Sequence, residues 1–293
     1  MGTHDGHAIR GEGQVPDGLP RTPTWQGSPV LIQVAVLTRR AVLEYLSDPR
    51  AVIIGLIQPF MILYLVVSVF SRVNAHIPGV PSGITYFQFL LPAVLVDSAI
   101  QVSLQTGFAL IEELRNGVVA RLRSLPIQQG TILVARSFSG TARTGLQTVV
   151  LLVLAQLTHG DISRGGLAGM AAAVGLTMLF GWCLGWIFLT FGIWLRRAET
   201  MFSLAAVISL PLLFVSSAWV PISQQPTVLA AVARVNPVTY AINAERALLL
   251  NTSANSAGSQ VILSSILISG ILGTAAAYLA VRLFRRPLQL ARP

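Results

Sequence analysis

Lysine is absent from this chain of 293 residues, so all 20 of its basic Lys/Arg positions are arginine. The nucleotide-binding P-loop, GxxxxGK[ST], needs a lysine that contacts the phosphates. The chain therefore cannot hold ATP in a P-loop, and any ATP that it depends on must be bound by a separate subunit. Charge of both signs is also scarce: 11% of the residues are charged, against about 25% in soluble domains.

Cysteine and histidine are rare, which limits the chemistry that the chain could perform. Cys183 is the single cysteine, so no intrachain disulfide can form. The motifs HExxH and GxSxG do not occur, and no cluster of cysteine and histidine is present. An enzyme needs a nucleophile with a base, or a metal site. The sequence predicts no catalytic residues and no metal ligands.

Long apolar runs are what the chain has in abundance, with 53% of its residues hydrophobic. About 20 apolar residues in a helix cross a hydrocarbon core of roughly 30 Å. These runs predict an all-α polytopic membrane protein with six transmembrane helices. The predicted spans are about 51–70, 84–111, 131–157, 166–194, 200–219 and 259–283.

The arginines indicate how the spans are oriented. They are concentrated before the first span, after the second, after the fourth and at the end of the chain, and the opposite side carries few. The positive-inside rule then predicts a multi-pass protein of the plasma membrane with both termini cytoplasmic. Because membrane topology explains the arginines, the basic net charge of +9 does not predict a nucleic-acid partner.

Two regions outside the spans have patterns of their own. Residues 1–27 are rich in glycine and proline without an apolar run, which predicts a disordered cytoplasmic tail before one transmembrane domain at 28–293. An amphipathic helix before the first span is expected to lie in the membrane interface. Within 217–258, Pro226 and the pair Asn236-Pro237 predict two short re-entrant or extracellular helices.

Polar side chains recur at helical spacing inside the second and third spans. Asp97, Gln101 and Gln105 share one face of span two, and Arg143 and Gln147 share one face of span three. Asp97 and Arg143 are predicted at the same depth, where a charge needs a partner, so we expect them to pair. Two interpretations stay open: a buried ion pair that fixes helix register, or a path for the head group of a cationic amphiphile.

The stretch IEELRNGVVARLRSLP, residues 111–126, is strongly charged and lies between two apolar spans. Its pattern predicts a short amphipathic helix at the cytoplasmic face, either docked on a soluble partner or simply solvated. Gly117, within it, predicts a bend or a close approach to that partner. The candidate docking residues are Glu113, Leu114, Arg115, Gly117, Val118, Arg121, Leu122, Arg123 and Pro126.

Three motifs give the chain a resemblance to the type-2 permeases of ABC transporters, particularly the daunorubicin/doxorubicin-resistance permeases of actinobacteria. They are NGVVARLRSLPI followed by VARS, then WLRRAET, and finally SLPLLFVSSAWVPI followed by NPVTYAINAERAL. Beyond the docking stretch, the matching positions are Arg136, Arg196, Glu199, Pro211, Asn236, Pro237, Thr239 and Arg246. One departure is Gly140, since relatives often carry an acid near that position.

The resemblance implies an ATP-driven exporter of an amphiphilic drug, an antibiotic or a complex lipid. Residues 111–126 would be its coupling helix, docked on a separate ATPase subunit that binds ATP and magnesium. A second permease subunit, identical or not, would complete the pore, and this chain itself would bind no cofactor. The alternatives are a polytopic membrane enzyme acting on lipids, with Asp97 or Glu245 in its site, and a passive channel.

Overall fold

The computed structural model describes residues 30–70, 83–117, 129–159, 162–195, 197–251 and 256–285. Within these ranges the chain is helical and contains no strand, which confirms the predicted fold class. The helices are α1 (Val30–Ser47), α2 (Pro49–Phe70), α3 (Tyr86–Arg115), α4 (Gln129–His159), α5 (Gly166–Leu195), α6 (Ala198–Phe214), α7 (Thr227–Val235), α8 (Pro237–Leu249) and α9 (Ser256–Arg285). The predicted tail, 1–27, lies outside the described residues.

Five of these helices, α2, α3, α4, α5 and α9, are long and apolar enough to cross a membrane. The fifth predicted span, 200–219, corresponds to the shorter α6. The α6 helix stops at Phe214 because Ser216 takes over the local hydrogen bonds: its hydroxyl donates to the Leu213 carbonyl and accepts from the Ala218 amide. At 17 residues, α6 is at the lower limit for a helix that spans a bilayer.

The central element is α3, which contacts α2, α4, α5, α6 and α8 and is buried along most of its length. It begins with a capping box, in which the Thr85 hydroxyl accepts from the Gln88 amide and the Gln88 side chain accepts from the Thr85 amide. Where α3 crosses α5, Gly107 and Gly192 let the backbones meet. A Cβ added to Gly107 would lie 2.7 Å from the Phe188 carbonyl oxygen.

The C-terminal end of α3 differs from the prediction. We expected one helix over 111–126, but α3 ends at Arg115, with Asn116 as its C-cap and Gly117 in the left-handed region at φ 70°. A left-handed glycine after the last helical residue is a common helix terminator. A Cβ added to Gly117 would meet no heavy atom of the described chain within 4 Å, so this glycine serves the turn and not a close packing contact there.

The two short helices between α6 and α9 are present as predicted. Asn236 is the N-cap of α8, because its side chain accepts from the Val238 amide at 2.9 Å, and Pro237 is the first helical residue. Pro226 precedes α7 directly. Both helices are too short to span a bilayer, and α8 packs against α3, α5 and α9.

Candidate substrate cleft and coupling segment

A polar cleft of about 270 Å³ lies between α2, α3 and α4. It includes four of the five residues that the sequence predicted along a substrate path, and it excludes the fifth, Asp97. Its lining also contains polar and apolar residues of α2 and α3 that the sequence analysis did not select. The lining residues are Ile54, Gly55, Gln58, Pro59, Ser98, Gln101, Gln105, Arg143 and Gln147.

Gln147 is fixed in this cleft by a defect in the neighbouring helix. Pro59 has no amide hydrogen, so the carbonyl of Gly55, four residues earlier in α2, lacks its normal helical partner. The Gln147 side-chain amide donates to that carbonyl at 2.7 Å. Gln147 is only 5% exposed, and a free carbonyl in hydrocarbon is costly. The glutamine therefore joins α4 to α2 and satisfies the proline site.

Arg143 crosses the cleft from α4 and contacts residues of two other helices. One terminal nitrogen, Nη2, donates to the Oε1 of Gln105 at 2.8 Å. The guanidinium also lies over the ring of Tyr45, with Cζ 4.2 Å from the ring centroid. Its Nε is buried without a hydrogen-bond acceptor among the described residues. Through Tyr45 the helix α1, which precedes the first span, contributes to the site.

Asp97 is elsewhere, and the prediction that it pairs with Arg143 is wrong. It is 8% exposed and lines a separate cavity of about 30 Å³ whose other lining residues are apolar, among them Leu213 and Trp219. Arg143 meets Gln105 instead, two helical turns further along α3. An acid–base contact within 4 Å does occur elsewhere, between Arg136 and Glu113.

The error came from the helix ends. Asp97 lies 11 residues after Tyr86, where α3 begins, and Arg143 lies 16 residues before His159, where α4 ends. A difference of five residues at 1.5 Å each offsets the two charges by about 7 Å along the bundle. The sequence had placed both at nearly equal distances from their span ends.

A second polar centre surrounds Arg246 on α8, one of the motif positions. Its Nε donates to the Phe89 carbonyl at 3.1 Å, and its Nη2 donates to the Ser217 and Ala218 carbonyls at 2.7 and 3.2 Å. The guanidinium also lies 3.7 Å from the centroid of the Phe89 ring. Arg246 therefore fastens the short helix α8 to α3 and to the segment after α6.

Other motif positions support the same region. The Asn236 amide donates to the Leu212 carbonyl of α6 at 2.6 Å, so this residue both caps α8 and binds the end of α6. Pro211 lies in the last turn of α6, and Thr239 is buried in the first turn of α8. These residues shape the fold around α8, and none of them lines the polar cleft.

Glu245, next to Arg246 in α8, is completely buried. Its Oε1 lies 2.7 Å from the hydroxyl of Thr177, which is also 3.0 Å from the Ala173 carbonyl. The Thr177 hydroxyl donates to Glu245 Oε1, and Glu245 Oε2 is buried without a hydrogen-bond partner among the described residues. Burial raises the pKa of Glu245 well above its ordinary value, against the opposing effect of the Thr177 hydrogen bond.

At the other end of the bundle, an ion pair joins α3 to α4. Arg136 Nη1 lies 3.1 Å from Glu113 Oε1, so a predicted docking residue and a motif residue are partners. Leu114 is half-buried against Leu110 and Phe284, inside the bundle. It therefore packs within the chain, although it was one of the candidate docking residues.

The remaining predicted residues of this end are placed only in part. Arg115 is exposed at the end of α3, and Glu199 is exposed in the first turn of α6. An acid in a first turn is stabilised by the helix dipole. The other predicted positions lie outside the described residues: Val118, Arg121, Leu122, Arg123, Pro126 and Arg196.

The sequence analysis missed Gln58 as a lining residue of the cleft and Tyr45 as a contact of Arg143. Gln58 interrupts an otherwise apolar run and directly precedes Pro59, and this pattern could have identified it as a polar position inside the first span. Tyr45 could not be found in this way, because its role depends on the angle at which α1 packs against α4.

A bundle of long apolar helices with a polar cleft inside it defines a multi-pass membrane protein. Comparison with known families then identifies it further: residues 32–250 match the family model described as ABC-2 type transporter. The chain belongs to this family, and it is a membrane permease subunit of an ABC transporter, which implies an ATPase partner.

Three relatives illustrate the match. The daunorubicin resistance ABC transporter permease protein DrrB1 of Streptomyces coeruleorubidus is 28% identical over 214 residues, 73% of this chain and 74% of the relative. A putative transport permease, ycf38, of Porphyra purpurea is 26% identical over 241 residues, 80% and 79% of the two chains. A probable doxorubicin resistance ABC transporter permease protein, DrrC, of Mycobacterium tuberculosis is 24% identical over 217 residues, 73% and 75%.

These relatives are named as permeases and not as enzymes. The alternative of a lipid-modifying enzyme with Asp97 or Glu245 in its site therefore has no support. Both carboxyls are buried in the structure, and Asp97 has mainly apolar neighbours around its cavity.

Proposed function

We propose that this permease exports an amphiphilic drug, an antibiotic or a complex lipid across the plasma membrane, driven by ATP hydrolysis on a separate ATPase subunit. The ATPase binds ATP and magnesium and docks on residues 111–126. A second permease subunit, identical or related, completes the transport path. The names of the relatives support a drug-like cargo, and the absence of lysine in the chain supports a nucleotide site on another subunit.

The ion pair between Glu113 and Arg136 is the observation that carries the docking proposal. It joins the last turn of α3 to the second turn of α4, so the two helices that flank residues 116–128 are held together. A movement imposed on that segment by a docked ATPase would then be passed to α3, the central helix, and to α4. Both helices line the polar cleft.

The docking proposal is tested by the double change Arg121→Glu with Leu122→Asp. We expect a tagged wild-type permease to co-purify with a Walker-motif ATPase from its own membranes, and the double variant to lose it. Single ion pairs at the rim of an interface contribute only about 0.2–1 kcal/mol, so the affinity should depend mainly on the apolar contact. Reversing the charge at Arg121 and burying an acid at Leu122 should therefore lower the affinity for the ATPase by about tenfold or more.

The matched control makes the same two changes on α7, Arg234→Glu with Val235→Asp. Both residues are exposed, and by the proposed topology they face the other side of the membrane. The control should retain the ATPase, and both variants should elute from a sizing column like the wild type. If the Arg121/Leu122 variant keeps the ATPase and its substrate-stimulated hydrolysis, residues 111–126 are not the coupling segment.

The orientation with cytoplasmic termini is part of the proposal, supported by the arginine distribution. Ser223 and Asn116 are exposed at opposite ends of the bundle. A membrane-impermeant maleimide should label Ser223→Cys in intact cells and label Asn116→Cys only after permeabilisation. The reverse pattern would overturn the orientation.

A further inference from the structure

The polar cleft has a net positive charge. Of the residues that line it, Arg143 is the one with an ionised side chain, and the others are amides, a hydroxyl or apolar groups. The helices α2 and α4 carry no carboxyl, and the three carboxyls of α3 are outside the lining, with Glu112 exposed near the end of that helix. Glu113 pairs with Arg136, and Asp97 lines the separate apolar cavity. The cleft therefore lacks a counterion of its own.

Arg143 also retains donor capacity. A guanidinium carries five N–H donors. Nη2 donates to Gln105, and the guanidinium also has a side-chain hydrogen bond with Tyr45. The buried Nε has no acceptor among the described residues. The Tyr45 ring orients the plane of the guanidinium but is a neutral partner that leaves its charge unbalanced. Such a planar fork fits the paired oxygens of a phosphate or a carboxylate.

Neutral hydrogen-bond donors line the cleft near the Arg143 guanidinium. The amides of Gln58 and Gln101 line the same cleft, as does the hydroxyl of Ser98. The Gln101 side chain also bonds to Asp97, but an amide has two N–H donors. Amide N–H groups bind anion oxygens without adding a second positive charge. By contrast, a cation entering the cleft would meet the positive charge of Arg143 with no carboxylate in the lining to offset it.

The size and the walls of the cleft indicate how much of a ligand it holds. Its volume of about 270 Å³ is just below the range of about 300–1,000 Å³ for small-molecule pockets. That is room for a head group and not for a whole amphiphile. Next to it, α2 exposes large apolar side chains, including Ile53, Ile54 and Ile57, which suit an acyl or polyketide chain outside the cleft.

We propose that the cleft around Arg143 binds an anionic head group, a phosphate or a carboxylate, of an amphiphile whose apolar part lies along α2. This inference rests on the proposed function, because it assigns the substrate class of the exporter. It also replaces the cationic amphiphile that the sequence suggested, since that suggestion depended on Asp97.

Binding to the purified permease in nanodiscs of phosphatidylcholine tests the inference without any ATPase. The probes share one chain length: dodecyl phosphate, dodecanoate and dodecyltrimethylammonium, titrated by calorimetry. We expect at least one of the two anions to bind at least about tenfold more tightly than the cation. The two anions distinguish a phosphate from a carboxylate source. Equal or tighter binding of the cation would overturn the inference.

Gln105→Glu is the sharpest variant, because the change is nearly isosteric and the fold should keep it. Gln105 Oε1 already accepts from Arg143 at 2.8 Å, so a glutamate there forms an ion pair and supplies the missing counterion. The preferred anion should then bind about tenfold or more weakly. Arg143→Gln should have the same effect, and Arg143→Lys should keep part of the affinity because it keeps the charge.

Arg282→Gln is the control for net charge, since Arg282 is exposed on α9 away from the cleft. It should leave the affinity unchanged within about twofold. Unchanged anion affinity in Gln105→Glu would show that the cleft is not the site. ATP plays no part in this experiment. Anion binding can therefore be observed in a permease that shows no ATP-driven export, and export can be observed without anion binding, so the two proposals are tested separately.

Discussion

The hydrogen bond from Gln147 to Gly55 leads to a prediction that can be worked out atom by atom. Pro59 leaves the Gly55 carbonyl without a backbone donor, and Gln147 supplies one at 2.7 Å. Gln147→Leu should therefore leave a buried acceptor unsatisfied. Such groups cost about 1–3 kcal/mol in proteins, whereas side-chain hydrogen bonds between membrane helices average about 0.6 and reach about 1.7. We expect a loss of about 1–2 kcal/mol.

The same reasoning predicts a rescue. Pro59→Ala restores an amide hydrogen that can bond to the Gly55 carbonyl within α2, so the carbonyl no longer needs Gln147. In the Pro59→Ala background, Gln147→Leu should cost less than about 0.5 kcal/mol, a coupling of about 1 kcal/mol in the double-mutant cycle. The measurement is unfolding in mixed micelles of increasing SDS content, followed by tryptophan fluorescence.

Gln156→Leu is the control for this cycle. It makes the same change on the same helix, but Gln156 is exposed and should change stability little in either background. If Gln147→Leu destabilises the permease equally with proline and with alanine at position 59, the hydrogen bond does not compensate for the proline and the reasoning is refuted.

Three further predictions concern buried polar and packed sites. Asp97→Asn and Arg143→Gln should lower stability additively, within about 0.5 kcal/mol, because the two residues do not pair; a large coupling in SDS unfolding would contradict this. Gly140→Ala should lower the free energy of unfolding by about 1–3 kcal/mol, because a Cβ would lie 2.6 Å from the Thr106 hydroxyl oxygen. Adding Thr106→Ala should restore most of that stability, and no recovery would refute the contact. Burial raises the pKa of Glu245 in the folded chain above that of an unfolded glutamate, which is near 4.3. Stability should therefore fall as pH rises above about 4 in the wild type, and Glu245→Gln should lack that fall.

The spans were predictable because the bilayer fixes their length. The helices α2, α4 and α5 begin and end within two residues of the predicted limits, since an apolar helix must cross a fixed thickness. The fifth span was predicted too long, because its apolar run continues past Phe214 although the serines there end the helix. The apolar pattern continues, but the hydrogen bonds of Ser216 decide where α6 stops.

The candidate site was predictable in composition but not in register. Gln101, Gln105, Arg143 and Gln147 were expected on facing surfaces and do meet in one cleft. Their pairing was not predictable, because the depth of a side chain depends on where each helix really begins, and five residues were enough to separate Asp97 from Arg143. The proline defect filled by Gln147 depends on helix contacts that no single segment reveals.

The most direct test of the central claim is substrate efflux from proteoliposomes that contain the permease with the ATPase that co-purifies with it. The account predicts efflux with ATP, none with a non-hydrolysable analogue, and none when the Walker lysine of the ATPase is replaced by alanine. The permease alone should hydrolyse no ATP and transport nothing. Efflux that continues without ATP hydrolysis, or ATP hydrolysis by the permease alone, would contradict the account of an exporter driven by a separate ATPase.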